Sequence, residues 1–198
     1  MTFVTARVCR TLIDMSLIDV QHDSGICTLT LNRPEKRNAL SPELISELED
    51  QLAAVGTDAH LRVLILAGAG KSFCAGMDLQ GVLDDPERMA GMLHGLSRAM
   101  RMVRRLSVPT IARVQGAAVG GGCGLAVVCD YALTHPEAKL GYPEVELGVC
   151  PAVVAPWLIR RIGAGPARGL LLAGGTLSAA RAMEIRMIDQ IVDKEQLM

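Results

Sequence analysis

A chain of 198 residues with 20 basic and 21 acidic side chains carries a formal net charge of −1. That balance excludes a strong electrostatic footprint for nucleic acid or an anionic membrane, and two Phe, two Tyr and one Trp leave little for base stacking. Half the residues are apolar, which excludes a disordered chain and suits one domain with a real core.

In chain order, Arg7 and Arg10 precede a modest apolar patch with no signal-peptide core, and Met15 is a second plausible start. Residues 1–17 are therefore read as an N-terminal extension and residues 18–198 as the folded core. Ile26 to Leu31 predicts a strand that ends at Asn32-Arg33-Pro34. Ser41 then sits where an N-cap would, with Pro42 at the first helical position, and Leu44, Leu48 and Leu52 recur on one helical face through Val55. Val63 to Ala67 predicts a second strand, and a helix is expected from Pro86 to Leu106. The strand Thr110 to Val114, a turn at Gln115-Gly116 and a glycine-entered helix from Gly120 to Cys129 follow. Tyr131 to Thr134 and Lys139-Leu140 are strand-like. From about Ala152 onward helical pieces are expected, broken at Gly163–Pro166 and Gly174-Gly175. Strand–helix alternation of this kind points to an α/β fold with a mostly parallel sheet.

The best membrane candidate, Gly116 to Cys129, is shorter than the roughly 20 apolar residues of a span, and glycines break it. Six cysteines (Cys9, Cys27, Cys74, Cys123, Cys129 and Cys150) form no CxxC pair and read as free thiols in a reducing compartment. His22, His60, His94 and His135 are scattered without metal-ligand spacing, so no metal site is expected. Gly70-Lys71-Ser72 lacks the earlier glycine of a P-loop, because that position is Ile65. Gly120-Gly121-Gly122-Cys123-Gly124 fails the dinucleotide pattern, because Leu125 takes the place of its third glycine. Two glycine-centred turns remain, Ser72 to Leu79 and Gly116 to Leu125, each following a strand. Glycine lets a ligand approach the backbone, and a helix that starts there points free N–H groups outward. Two such groups aimed at one point would form an oxyanion hole.

The combination of Asn32 to Leu40, Phe73 to Leu79, Gly116 to Gly122 with Cys129-Asp130, Pro143 to Gly148 with Pro151, and Arg161 to Gly163 with Leu172 to Gly174 resembles the enoyl-CoA hydratase/isomerase (crotonase) family. The resemblance runs from about residue 18 to residue 193. It implies a crotonase-like spiral of repeated ββα units, with the family's usual C-terminal helical region largely missing. It also implies an enzyme of fatty acid metabolism, acting in the cytoplasm on an acyl-CoA thioester. Coenzyme A would be part of the substrate and no other cofactor would be used. The family's homotrimer or hexamer would be expected, weakened by the short C-terminus.

By motif position the thioester oxygen would rest on the backbone N–H groups of Met77 and Gly121. Met77 keeps the peptide N–H while its bulk narrows the acyl pocket. The resemblance lays the rest of the ligand along Lys36, Arg37, Ala39 and Leu40, and along Ala75, Asp78, Leu79 and Gln80, with Lys36 and Arg37 meeting the phosphates. Glu144 matches the family glutamate and would be the acid–base residue, its pKa raised by a dry pocket. Here the sequence departs from two-glutamate hydratases, because the other carboxylate position is Gly124. Being three residues from Gly121 on a helix, Gly124 is expected to face the substrate and leave space there. Glu146 is a possible secondary carboxylate, expected to point away from Glu144 along an extended segment. His94 is a weak candidate, and Asp130 matches a structural position.

One glutamate supports hydration, with Glu144 activating water and returning its proton, or isomerisation, with Glu144 carrying a proton between C2 and C4. Val149 to Trp157 is similar to branches that hydrate branched or carboxylated enoyl-CoA, and its lack of a carboxylate disfavours aryl dehalogenation. Hydration is the favoured reading. Isomerisation, or a non-catalytic or truncated acyl-CoA binder, are the alternatives.

Overall fold

The computed structural model describes residues 16–82 and 84–197. The expected N-terminal extension lies outside the described residues as far as residue 15, Arg7, Cys9 and Arg10 included. Ser16 and Leu17 are tied to the core: the Leu17 N–H donates to Glu47 Oε2 at 3.0 Å, and the Leu17 carbonyl accepts from the Asn32 N–H at 2.8 Å.

The main sheet begins with a hairpin, β1 (Ile18–Asp23) and β2 (Ile26–Leu31), paired antiparallel. Its two-residue turn, Ser24-Gly25, has φ of 50° and 86°, the left-handed pair that suits a right-twisted hairpin. Sequence reasoning did not anticipate β1, although a Ser-Gly turn before a strand is a hairpin signal. β2 then pairs parallel with β3 (Val63–Gly68), and β3 with β4 (Thr110–Val114). The crossovers are the two long helices, α1 (Pro42–Gly56) and α2 (Pro86–Arg105). Ser41 caps α1 as expected, accepting from the Leu44 N–H at 3.3 Å. The α1 stripe Leu44, Leu48 and Leu52 is buried and faces the α2 stripe of Met92, Leu96, Met100 and Val103. Contact is close because Gly95 has no side chain: a Cβ there would lie 2.7 Å from Ile45 Cγ2.

After β4 the chain splits its strands between two sheets. β5 (Ala117–Val119) leaves the main sheet and is followed by α3 (Gly121–Val128); β6 (Tyr131–Thr134) returns to pair parallel with β4. β7 (Lys139–Gly141) then pairs parallel with β5 in the second sheet, and a 3-10 turn, Pro143–Leu147, leads to α4 (Ala155–Ile162). Twice, then, a strand in each sheet is followed by a helix, the expected ββα repeat.

The remainder is α5 (Ala164–Ala173), β8 (Thr176–Ser178), α6 (Ala179–Glu184), β9 (Gln190–Ile191) and α7 (Lys194–Leu197). The all-helical expectation for this region is corrected by β8, antiparallel to β7, and β9, parallel to β6. Strands of three and two residues are too short for a periodicity to register. The expected break at Gly163–Pro166 shrinks to Gly163 alone, because Pro166 sits in the first turn of α5, where its missing N–H is harmless. Among the described residues no helix is long and apolar enough to cross a membrane.

Candidate active site

The site forms where two glycine turns pass the second sheet. Segment 73–78 runs between Leu40 on one side and β5 on the other. The Cys74 N–H donates to the Ala117 carbonyl, and the Cys74 carbonyl accepts from Val119 N–H, both at 3.0 Å. Two residues on, the Leu40 N–H donates to the Gly76 carbonyl at 2.8 Å and the Asp78 N–H to the Leu40 carbonyl at 2.9 Å. Extended backbone alternates its donors, so the Met77 N–H faces away from Leu40, and it has no acceptor among the described residues. Gly76, at φ 95°, makes the approach possible: a Cβ there would lie 3.0 Å from the Val119 carbonyl oxygen.

The second turn presents Gly121 as the first residue of α3, where an N–H has no intrahelical acceptor. Gly120 holds the entry, with φ 54° and its own N–H bonded to the Gly141 carbonyl at 2.8 Å. It also makes room for a carboxylate, since a Cβ at Gly120 would lie 2.9 Å from Glu144 Oε1. Met77, Gly121 and Glu144 line one cavity in two lobes, of about 90 and 30 Å³. Ala75 and Leu79 join them in the larger lobe.

Glu144 is half-buried, and its Oε2 is enclosed without a hydrogen-bond partner among the described residues. Loss of hydration raises its pKa above the ordinary carboxylate value, which a bond from its own backbone only partly offsets. A carboxylate tuned upward beside unspent N–H donors can move protons near neutral pH.

A second polar centre builds the frame. Asn38, fully buried at φ 57°, donates from Nδ2 to the carbonyls of Ala69, Ser72 and Phe73 at 2.9, 2.8 and 3.1 Å. Its Oδ1 accepts from the Arg33 N–H at 2.9 Å. The Arg33 guanidinium donates to the Ala39 carbonyl at 2.7 Å and to Asp78 at 3.2 Å, which ties the residue after Met77 to the 33–39 loop. Sequence reasoning missed both as site-builders; an Asn between an exposed basic pair and an apolar run was the available signal.

The other expected site residues divide. Lys36 is exposed at the end of the 3-10 turn Pro34–Lys36, Arg37 is exposed just after it, and Gln80 is exposed beyond the cavity. Ala39 and Leu40 supply backbone groups, while the Leu40 side chain is wholly in the core. Asp78 is held in its ion pair with Arg33. Gly124 departs from expectation. It faces packed side chains, a Cβ there lying 2.4 Å from Met100 Cε and 2.6 Å from Val154 Cγ1, so the space left by glycine is filled from within. Spacing along α3 could not reveal this, because the filling residues come from α2 and the loop before α4. The Pro-Glu segment is a 3-10 turn and not extended, yet Glu146 does point away: it is exposed and lies against Gly174, 3.2 Å from where a Cβ there would be. His94 is exposed on α2. Asp130 is structural, its Oδ2 accepting from the Thr110 N–H at 3.0 Å and hydroxyl at 2.9 Å.

The cysteines are free thiols as far as the described residues go, and burial pushes Cys74, Cys123 and Cys129 up to about 12. They stay protonated at neutral pH and serve as small apolar filling.

Comparison with known proteins gives the chain's family. The family model described as Enoyl-CoA hydratase/isomerase matches residues 21–198. The crotonyl-CoA hydratase of Syntrophomonas wolfei is 34% identical over 186 residues, spanning 91% of this chain and 71% of that protein. The 1,2-epoxyphenylacetyl-CoA isomerase of Escherichia coli is 39% identical over 182 residues, spanning 88% of this chain and 69% of that protein. The crystal structure of an enoyl-CoA hydratase from Bacillus anthracis superimposes with a TM-score of 0.88 at 33% identity, over 92% of this chain and 72% of the other. The chain thus belongs to the enoyl-CoA hydratase/isomerase family.

Proposed function

We propose that this protein hydrates an enoyl-CoA thioester across its 2,3-double bond, with Glu144 as acid and base. The observation that carries the reading is that Met77, Gly121 and Glu144 line one small cavity. The thioester oxygen accepts both N–H groups. The Glu144 carboxylate takes a proton from water as the water oxygen bonds to C3. The electron pair moves through C2 and the carbonyl carbon onto the thioester oxygen, giving an enolate. Glu144 then returns the proton to C2, so water is added and the carboxylate restored. The electron pair rests on the substrate's own oxygen, so no redox cofactor is required. Each N–H to a developing oxyanion contributes on the order of 10²–10³ in rate. The name of the Syntrophomonas relative supports hydration.

Isomerisation is the second reading, and one observation favours it. Among the described lining residues Glu144 is the only carboxylate, and Val154 occupies the room beside Gly124 where a second would project. A single carboxylate can remove a C2 proton from a 3-enoyl-CoA and return it at C4 without water. Two substrates separate the readings. Hydration predicts that crotonyl-CoA loses its conjugated-thioester absorbance. Isomerisation predicts that a 3-enoyl-CoA gains it while crotonyl-CoA stays unchanged. Absence of both changes would reject both.

A further inference from the structure

We infer that the acyl end of this cavity admits a short, uncharged aliphatic group, and that Met77 and Val154 set the limit. The inference rests on the reading of the cavity as an enoyl-CoA site. The two lobes meet at Met77, Gly121, Glu144 and Val149, all of which line both. The inner lobe, at about 30 Å³, is much the smaller of the two, against about 90 Å³ for the outer lobe. Two side chains make it small. Val154, buried, leans into the gap that Gly124 leaves, its Cγ1 2.6 Å from where a Cβ would be. Met77 lies across the start of α3, its Cγ 3.8 Å from the corresponding point on Gly121.

The lining also selects against charge. Leu93, Leu96 and Val153 complete the apolar wall of the inner lobe. Among the described lining residues of both lobes there is no Lys, Arg or His, and Glu144 and Cys150 are the only ionisable groups. A carboxylate at the end of the acyl chain would be buried without a cation and beside Glu144, so like charges would oppose its entry. A longer chain meets a different obstacle. Val149, Cys150 and Pro151 stand between the inner lobe and a separate, open apolar groove of about 510 Å³. Extra methylenes gain that groove only by displacing this segment, Val154 or Met77.

Binding of unreactive saturated thioesters tests the idea without requiring turnover. Calorimetry with the full chain should rank butyryl-CoA at least tenfold tighter than octanoyl-CoA or glutaryl-CoA. An open apolar surface would give the opposite order for the first two, because each added methylene strengthens burial. In Met77→Ala, octanoyl-CoA should gain at least tenfold relative to butyryl-CoA. Val154→Ala, with its fold checked by circular dichroism, should do the same. Octanoyl-CoA or glutaryl-CoA binding as tightly as butyryl-CoA to the unmodified protein would overturn the inference while leaving the enoyl-CoA reading intact. A ratio unmoved by Met77→Ala would remove Met77 as the limit. Failure of all three esters to bind would overturn the enoyl-CoA reading and this inference with it.

Discussion

Asn38, fully buried, and Glu144, half-buried, are two polar side chains of the site that are treated oppositely. Asn38 has every polar group engaged, with three carbonyls on its amide nitrogen and one N–H on its oxygen. Glu144 has one carboxylate oxygen enclosed without a partner among the described residues and a proton affinity raised by burial. A buried polar group normally finds its partners, since leaving one unmade costs more than making it gains. Asn38 follows that rule and holds the loop. Glu144 breaks it, and the unspent bonding capacity is what a substrate or water can use.

If the contrast is sound, the largest stability loss should come from the satisfied side. Asn38→Ala orphans the Ala69 and Phe73 carbonyls and the Arg33 N–H, leaves the Ser72 carbonyl only Gln115, and places Ala at a left-handed φ, so unfolding free energy should fall by about 3 kcal/mol or more. Denaturant titration measures it, and a loss below about 1 kcal/mol would show that the loop is held by something else. Next is Gly124→Glu, which forces a side chain into Met100 and Val154 and buries a charge. It should cost about 2–3 kcal/mol and restore no second acid, because no room opens toward the cavity.

Glu144→Gln should act the other way on stability. The folded-state pKa is raised, so the proton-linked stability of the unmodified protein is full below the unfolded carboxylate value and is lost as pH rises through the folded value. At neutral pH the Gln variant should therefore melt higher than the unmodified protein, with the gap closing below about pH 4. An unchanged gap across that range would mean that Glu144 is not desolvated. Smallest of all, Glu49→Ala breaks an ion pair whose Arg98 partner is mostly exposed, and should change stability by about 0.5 kcal/mol or less.

The sequence reading succeeded where one local signal sufficed. Ser41-Pro42 located the start of α1 to the residue, and the family resemblance picked out Met77, Gly121 and Glu144, which do share a cavity. It failed where the answer depended on a distant segment. Gly124 lies on a helix face whose neighbours are Met100 and Val154, and nothing in α3 encodes that. Asn38 looks like a turn residue until the loop at 69–73 folds over it. β5, β8 and β9, at three, three and two residues, exist because partners on other segments pair with them.

The most direct test of the central claim is turnover by Glu144→Gln measured alongside its affinity for butyryl-CoA. The variant should bind the saturated ester about as well as the unmodified protein and lose on the order of 10²–10⁴ of its rate with whichever enoyl-CoA reacts. Undiminished turnover in Glu144→Gln would contradict the account, because the unpartnered carboxylate would then have no part in the chemistry.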